Sequence, residues 1–337
     1  QKQKQQQQQQ QLDSLDSLSI LYANGDYRDV WIVGQPHDNT ARVMKTLQYS
    51  YAIRPDHHRM FRDETNAMDH LSASPYVVNS FGLCGVSSLM DFARVGNFKR
   101  LAKKHKFTAV EKIKVATQVA RMVADIHYGG DDGGMGGGDY IGKRKKPTGT
   151  ASTTPPPPLM TIADLSCGQF IYNDNTQTYQ IHDMNLIRMM KVHSDTGRSC
   201  QFRSAPSAGS VRSPEEYWEK DHTEKVDIWA LGNVLHYIIT GDYAFNTHDV
   251  SESKIRRYVR KGKTPPSFAE IEKRGDGIEI ALLDIIKRIR QVDPMDRPSA
   301  LEVRAYLEGK LFNLTGSNDA TVDADSIAKR PSVSNSS

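Results

Sequence analysis

The chain has 337 residues, enough for one large domain or two moderate ones. A formal net charge of +4 is too balanced to mark a nucleic-acid binder, and no apolar run approaches the roughly 18 residues of a membrane span. The cysteines Cys84, Cys167 and Cys200 are too few and scattered for a disulfide framework, which points to a reducing compartment, cytoplasmic or nuclear. The first residue is Gln rather than Met, so the sequence reads as a fragment, and an anchor upstream stays open.

Residues 1–19 open with "QKQKQQQQQQQ", a polar tract that cannot bury a core and is expected to be a disordered leader. Residues 20–95 carry short β-rich runs, "DVWIVG", "ARVMKTL", "PYVVNSFGL" and "SSLMDFA". One predicted helix, "HHRMFRDETNAMDHL", interrupts them. Residues 96–312 form the larger part, mainly helical over 96–128 and 215–312, with periodic segments such as "TAVEKIKVATQVARMVADIHY", "KVDIWALGNVLHYIIT" and "IEIALLDIIKRIRQV". Gly, then Lys and Arg, then Pro dominate about 129–158, which reads as a flexible insertion able to project to a partner. Residues 313–337 are polar and expected to be a disordered tail. A small sheet-rich part followed by a larger helical part predicts an α+β, two-lobed arrangement with a cleft between the lobes.

The charged residues inside apolar segments carry the chemistry. Lys45 ends "ARVMK", and Glu64 shares its helix with Met68 and Leu71 on the apolar face. Asp164 follows "LMTIA" and Asp183 follows "YQIH". A Lys–Glu pair in a sheet-rich part, with two carboxylates on turns after strands, suits a metal-bound polyphosphate.

With these residues in place the sequence resembles the protein kinase superfamily over about residues 20–312. Four features agree in order: "SPEEY", "DIWALG", "TGDYAF" and "DPMDRPS". The resemblance implies a bilobal protein-kinase-like fold that uses ATP with Mg²⁺ or Mn²⁺. It implies Asp164 as catalytic base, Lys45 as the phosphate-pairing lysine and Glu64 as its partner. Asp183 and Gln169 fall on the metal ligands. Gly25 falls on the phosphate loop, and Val30, Val43 and Ile171 on the walls around the adenine. Met90, Asp91, Phe92 and Ala93 fall on the hinge, with backbone groups of Asp91 and Ala93 facing the base. Asp227 falls on the buried anchor of the catalytic loop. Glu215 and Arg297 fall on an ion pair tying the activation segment to the helical lobe. Met68, Met184 and Ile162 would stack from the Glu64 helix to that anchor.

The departures are local. Ala23 and Arg28 stand where two of three glycines are usual, and Arg28 either contacts phosphate or folds over an empty site. Ile162 and Ala163 replace His and Arg, which removes the usual receptor for a phosphorylated activation loop. Ser166 replaces a lysine that neutralises the transferring phosphate, a loss of about 10²-fold if nothing takes its place. Gln169 and Asn185 replace Asn and Gly. Cys167 lies in the catalytic loop, where an electrophile could reach it, and His182 reads as a packed residue rather than a base. The expected function is an ATP- and Mg-dependent Ser/Thr kinase acting on protein substrates. The alternative is a pseudokinase scaffold, while "SPEEY" with Arg297 disfavours a small-molecule phosphotransferase.

Overall fold

The computed structural model describes residues 19–34, 41–104, 106–130, 156–197, 199–204, 211–245 and 250–323. Nearly all of the Gln-rich leader and most of the 129–158 stretch therefore lie outside the described residues. The N-terminal part is an antiparallel sheet of β1 (Ser19–Asn24), β2 (Arg28–Val33), β3 (Arg42–Leu47), β4 (Ser80–Cys84) and β5 (Ser87–Asp91), in the order β1-β2-β3-β5-β4. The register sets Val30 opposite Lys45, Val43 opposite Met90 and Lys45 opposite Ser88. Helix α1 (Pro55–His70) lies between β3 and β4 in sequence and packs on β4 and β5. Its buried face is Phe61, Glu64, Ala67 and Met68, a helical stripe with one charge in it.

The second lobe holds α2 (Phe98–Lys104), α3 (Ala109–Tyr128), the short pair β6 (Met160–Thr161) and β9 (Arg188–Met189), the hairpin β7 (Phe170–Asn173)–β8 (Thr178–Ile181), and α4 (Pro214–Tyr217). Beyond these come α5 (Lys225–Thr240), α6 (Glu252–Arg260), α7 (Ser267–Arg274), α8 (Gly277–Ile289) and α9 (Ala300–Thr315). The fold is α+β and bilobal, a five-stranded sheet beside a larger helical part. Helix α3 starts at a capping box, Thr108 with Glu111, and ends at Gly129 with φ 93°. Its residues 113 and 115–127 except Arg121 are buried, so it forms the centre of the lobe, with α5, α8 and α9 around it. Helix α5 is buried almost throughout. At Gly232 a Cβ would stand 2.6 Å from Ile289 Cγ2, so only glycine lets α5 and α8 approach this closely.

Two stitches lie beside the cleft. Val78 N donates to Ile181 O at 3.1 Å and Ile181 N to Tyr76 O at 2.9 Å, which joins the lobes directly; Tyr172 N donates to Gly96 O at 3.2 Å, which ties the β7–β8 hairpin to the end of the linker. Among the described residues no helix is long and apolar enough to cross a membrane.

The chain beyond residue 312 differs from the tail expected on composition. Helix α9 continues to Thr315 and ends at Gly316 with φ 70°. Residues 319–323 then strap across α3 and the β7–β8 hairpin, with Ala320 and Val322 buried. Lys114 Nζ donates to Thr321 O at 2.9 Å, Gln118 Nε2 to Ala320 O at 2.6 Å, and Tyr172 Oη to Val322 O. The physical reason is that backbone carbonyls and two small apolar side chains, Ala320 and Val322, hold the strap, so a largely polar composition does not oppose it.

Candidate active site

The loop carrying Asp164 is built on a single carboxylate. Asp227, in the first turn of α5, is 1% exposed. It accepts hydrogen bonds from Ile162 N at 2.7 Å, Ala163 N at 2.8 Å, Thr161 Oγ1 at 2.7 Å and His127 Nε2 at 3.0 Å. Converging two successive N–H groups on one anion bends the backbone into a nest. Ala163 accordingly takes φ 59°, a left-handed conformation that costs a non-glycine residue about 1–2 kcal/mol. The bend delivers Asp164, whose Oδ1 accepts from Arg212 Nη2 at 2.7 Å and whose Oδ2 accepts from Gln169 Nε2 at 3.0 Å. Gln169 in turn accepts from Ser166 N at 2.6 Å, which closes the loop on itself.

Opposite this loop four charges meet. Lys45 on β3 donates to His182 O at 2.5 Å, and its Nζ lies 3.8 Å from Glu64 Oε1. The same Glu64 oxygen accepts from Met184 N at 2.9 Å, so α1 is docked on the turn that carries Asp183. Glu64 Oε2 accepts from Arg28 Nη1 at 2.5 Å. Arg28 therefore folds into the cleft and is buried, its guanidinium 4.4 Å over the Phe61 ring. Arg28 Nε and Nη2 are buried with no partner among the described residues. Leaving such donors unmet costs about 1–3 kcal/mol each, which the contact with the Phe61 ring offsets in part.

Electrostatics set the two aspartates apart. Burial works to raise the Asp183 carboxyl, but Lys45, Arg28 and His182 outweigh it and hold it below the usual range. Burial pushes Asp164 up; Arg212 opposes this and Asp183 adds to it. Burial, with Lys45 adding, pushes the His182 imidazole down to about 4, which leaves it neutral and a weak base. Cys167 corrects the expectation of an accessible thiol: it is fully buried, and burial pushes it up to about 12.

On the side proposed for a base, Val30, Val43 and Ile171 are each half-buried. Met90 is a buried strand residue rather than part of the linker between lobes. Asp91 ends β5, and its N–H is already bonded to Asn79 O at 3.1 Å, so one backbone group expected to face the base is engaged. Ala93 lies half-buried in the linker. Gly25 N donates to Arg28 O at 2.7 Å, and an added Cβ would meet only that oxygen at 3.4 Å, so the turn does not demand glycine.

The structure brings Glu215 and Arg297 together in a bidentate pair, at 2.6 and 2.7 Å, with both side chains buried. Met68, Met184 and Ile162 share one buried cluster. Sequence reasoning missed Thr161, His127 and Arg212. His127 had a signal, as a polar residue inside the apolar face of α3; Arg212 had none beyond its place before "SPEEY".

Comparison with known proteins gives the geometry its relatives. No protein-family model matches the chain. It is 29% identical over 100 residues to the RGS domain-containing serine/threonine-protein kinase A of Dictyostelium discoideum, covering 30% of this chain and 8% of that protein. It is 26% identical over 106 residues to mouse serine/threonine-protein kinase H1, covering 32% and 24%. It is 24% identical over 147 residues to human serine/threonine-protein kinase Nek5, covering 43% and 19%. The chain is related to the protein kinase superfamily. This kinase-related chain matches between 8% and 24% of the lengths of these relatives. Their shared activity class agrees with the bilobal α+β fold.

Proposed function

We propose that the chain is an ATP- and Mg²⁺-dependent protein kinase that transfers the γ-phosphate to a Ser or Thr hydroxyl of a protein substrate. The observation that carries this reading is the corner where Lys45 and Arg28 face Glu64 and Asp183. Phosphate oxygens are acceptors that fit the two cations. Asp183, held ionised, is the principal metal ligand, and Gln169 keeps a second oxygen lone pair for the same role. Bound Mg²⁺, or Mn²⁺, supplies charge neutralisation between the phosphates. Lys45 orients the phosphates while Glu64 holds Lys45 and Arg28 in place. Asp164 orients the acceptor hydroxyl and takes its proton. Val30, Val43 and Ile171 form apolar walls for the base. Arg297 locks the segment that a protein substrate would lie against.

The test is transfer of labelled γ-phosphate to a generic protein substrate with Mg²⁺ or Mn²⁺. Asp164→Asn and Asp183→Asn are each expected to lower turnover about 10²–10⁴-fold. Wild type no better than both variants would sink the reading. Arg28→Met is expected to weaken Mg-nucleotide binding about 10–100-fold, the worth of one charge-assisted bond. Unchanged affinity in a fluorescence titration would remove Arg28 from the site.

A specific observation favours the second reading, a pseudokinase scaffold. Both Asp164 oxygens are engaged, by Arg212 and by Gln169, and Arg28 shares the glutamate that Lys45 needs. On that reading nucleotide would bind weakly or not at all, the output would be protein interaction, and the stretch at 129–158 would be the first place to seek a partner.

A further inference from the structure

The loop from Ile162 to Gln169 contains no cationic residue, and Ser166 occupies the place where the resemblance expects a lysine. A reaction that gathers negative charge beside Asp164 would thus receive no positive charge from the loop itself. The structure brings one from another segment. Arg212, just ahead of α4, donates from Nη2 to Asp164 Oδ1 at 2.7 Å and from Nη1 to Ala163 O at 2.9 Å. Its Nη1 also reaches Glu216 Oε1 at 3.3 Å. Glu216 is itself fixed, accepting from Ser213 N and Ser213 Oγ at 2.8 Å each. The guanidinium is therefore held from two sides and largely buried, and its Nε is buried without a partner among the described residues. A long side chain so constrained loses little entropy when it meets a ligand oxygen.

We propose that Arg212 is the acceptor-side cation of the reaction, orienting Asp164 and neutralising the transferring phosphoryl group in place of a loop lysine. The proposal rests on the phosphotransfer reading. In that step the acceptor oxygen bonds to Pγ while the bond from Pγ to the β–γ bridging oxygen breaks. The hydroxyl proton passes to Asp164, and ADP leaves with the electron pair of the broken bond. Arg212 makes and breaks no covalent bond; its charge is worth most when negative charge spreads over the phosphoryl oxygens. Its attachment to the activation segment makes acceptor-side charge depend on how that segment is seated, a dependence that a lysine within the loop would not have.

The experiment measures initial rates of labelled γ-phosphate transfer by the full chain. Wild type is compared with Arg212→Met, Arg212→Lys, the double variant Arg212→Met/Ser166→Lys, and Asp164→Asn as the inactive reference. Arg212→Met is expected to lower kcat about 10²-fold while the KM for nucleotide stays within about twofold. Arg212→Lys should retain part of the rate, and Ser166→Lys should restore about tenfold of the loss in the Met background. A residue with only a structural role would not be rescued by a lysine supplied from position 166. Should Arg212→Met fail to fold, Arg212→Lys against Arg212→Gln makes the same comparison of charge. An Arg212→Met rate equal to or above wild type would mean that Arg212 is a spectator or a mask, and it would overturn the proposal. So would failed rescue in a double variant that melts like wild type. Wild type as silent as Asp164→Asn would instead defeat the phosphotransfer reading and this proposal with it.

Discussion

Asp227→Asn is expected to destabilise the protein by about 3–5 kcal/mol, a large share of a typical 5–15 kcal/mol total, and to abolish transfer. The amide keeps the shape of the carboxylate but replaces one acceptor oxygen with a donor. Thr161 Oγ1, Ile162 N and His127 Nε2 all reach the same oxygen, Oδ2, and Ala163 N reaches Oδ1. Whichever way the amide turns, at least one buried N–H then faces an NH₂ group, and each unmet donor costs about 1–3 kcal/mol. The left-handed turn at Ala163 loses what holds it, relaxes, and takes Asp164 away from Arg212 and Gln169. Ala163→Gly provides the contrast. Glycine meets no Cβ penalty at φ 59°, so that variant should match or exceed wild type in a urea melt. A melt in which Asp227→Asn sits within about 1 kcal/mol of wild type would mean the loop is held by something else.

Breaking the Glu215–Arg297 pair is the second large effect. Arg297 satisfies all five of its N–H groups: two on Glu215, the others on Lys225 O, Gln291 O and Val292 O, at 2.6 to 3.2 Å. Arg297→Ala therefore strands a buried carboxylate and three carbonyls, and should cost about 3–5 kcal/mol. Glu215→Ala leaves the guanidinium with three carbonyls that still accept from it, so its cost should be smaller. The double variant should lose less than the sum of the singles, by about 0.5–3 kcal/mol, because neither charge is then left alone. Strict additivity in denaturant melts would show that the pair contributes no coupling.

What the sequence made legible, and what it hid, divides along physical lines. Helices α3 and α5 announce themselves because burial on most faces demands an unbroken apolar period, and Asp227 stands out as a charge inside one. Glu64 stands out in the same way, in a stripe with Met68 and Leu71. Arg212 does not, because what brings it to Asp164 is the course of a segment with no period. Arg28 carries two meanings in the sequence, and the structure adds only that it is buried on Glu64. Met90 and Asp91, read from the sequence as linker, end the strand β5 instead, since a strand end and a linker share the same residue types. The strap at 319–323 was hidden because its side chains are small and its bonds run through carbonyls.

That strap has a consequence for how the protein is made. Gln118, fully buried at the middle of α3, donates to Ala320 O across 202 positions of sequence, while its other end accepts from Tyr179 N at 2.8 Å. At ribosomal speeds of roughly 5–20 residues per second, about 10–40 s pass between the synthesis of these partners. Through that interval Gln118 on α3 and the neighbouring face of the β7–β8 hairpin lack the strap that covers them in the finished fold. The strap therefore closes only after residue 323 has been made, so this contact is among the late, long-range ones on which the helical lobe depends.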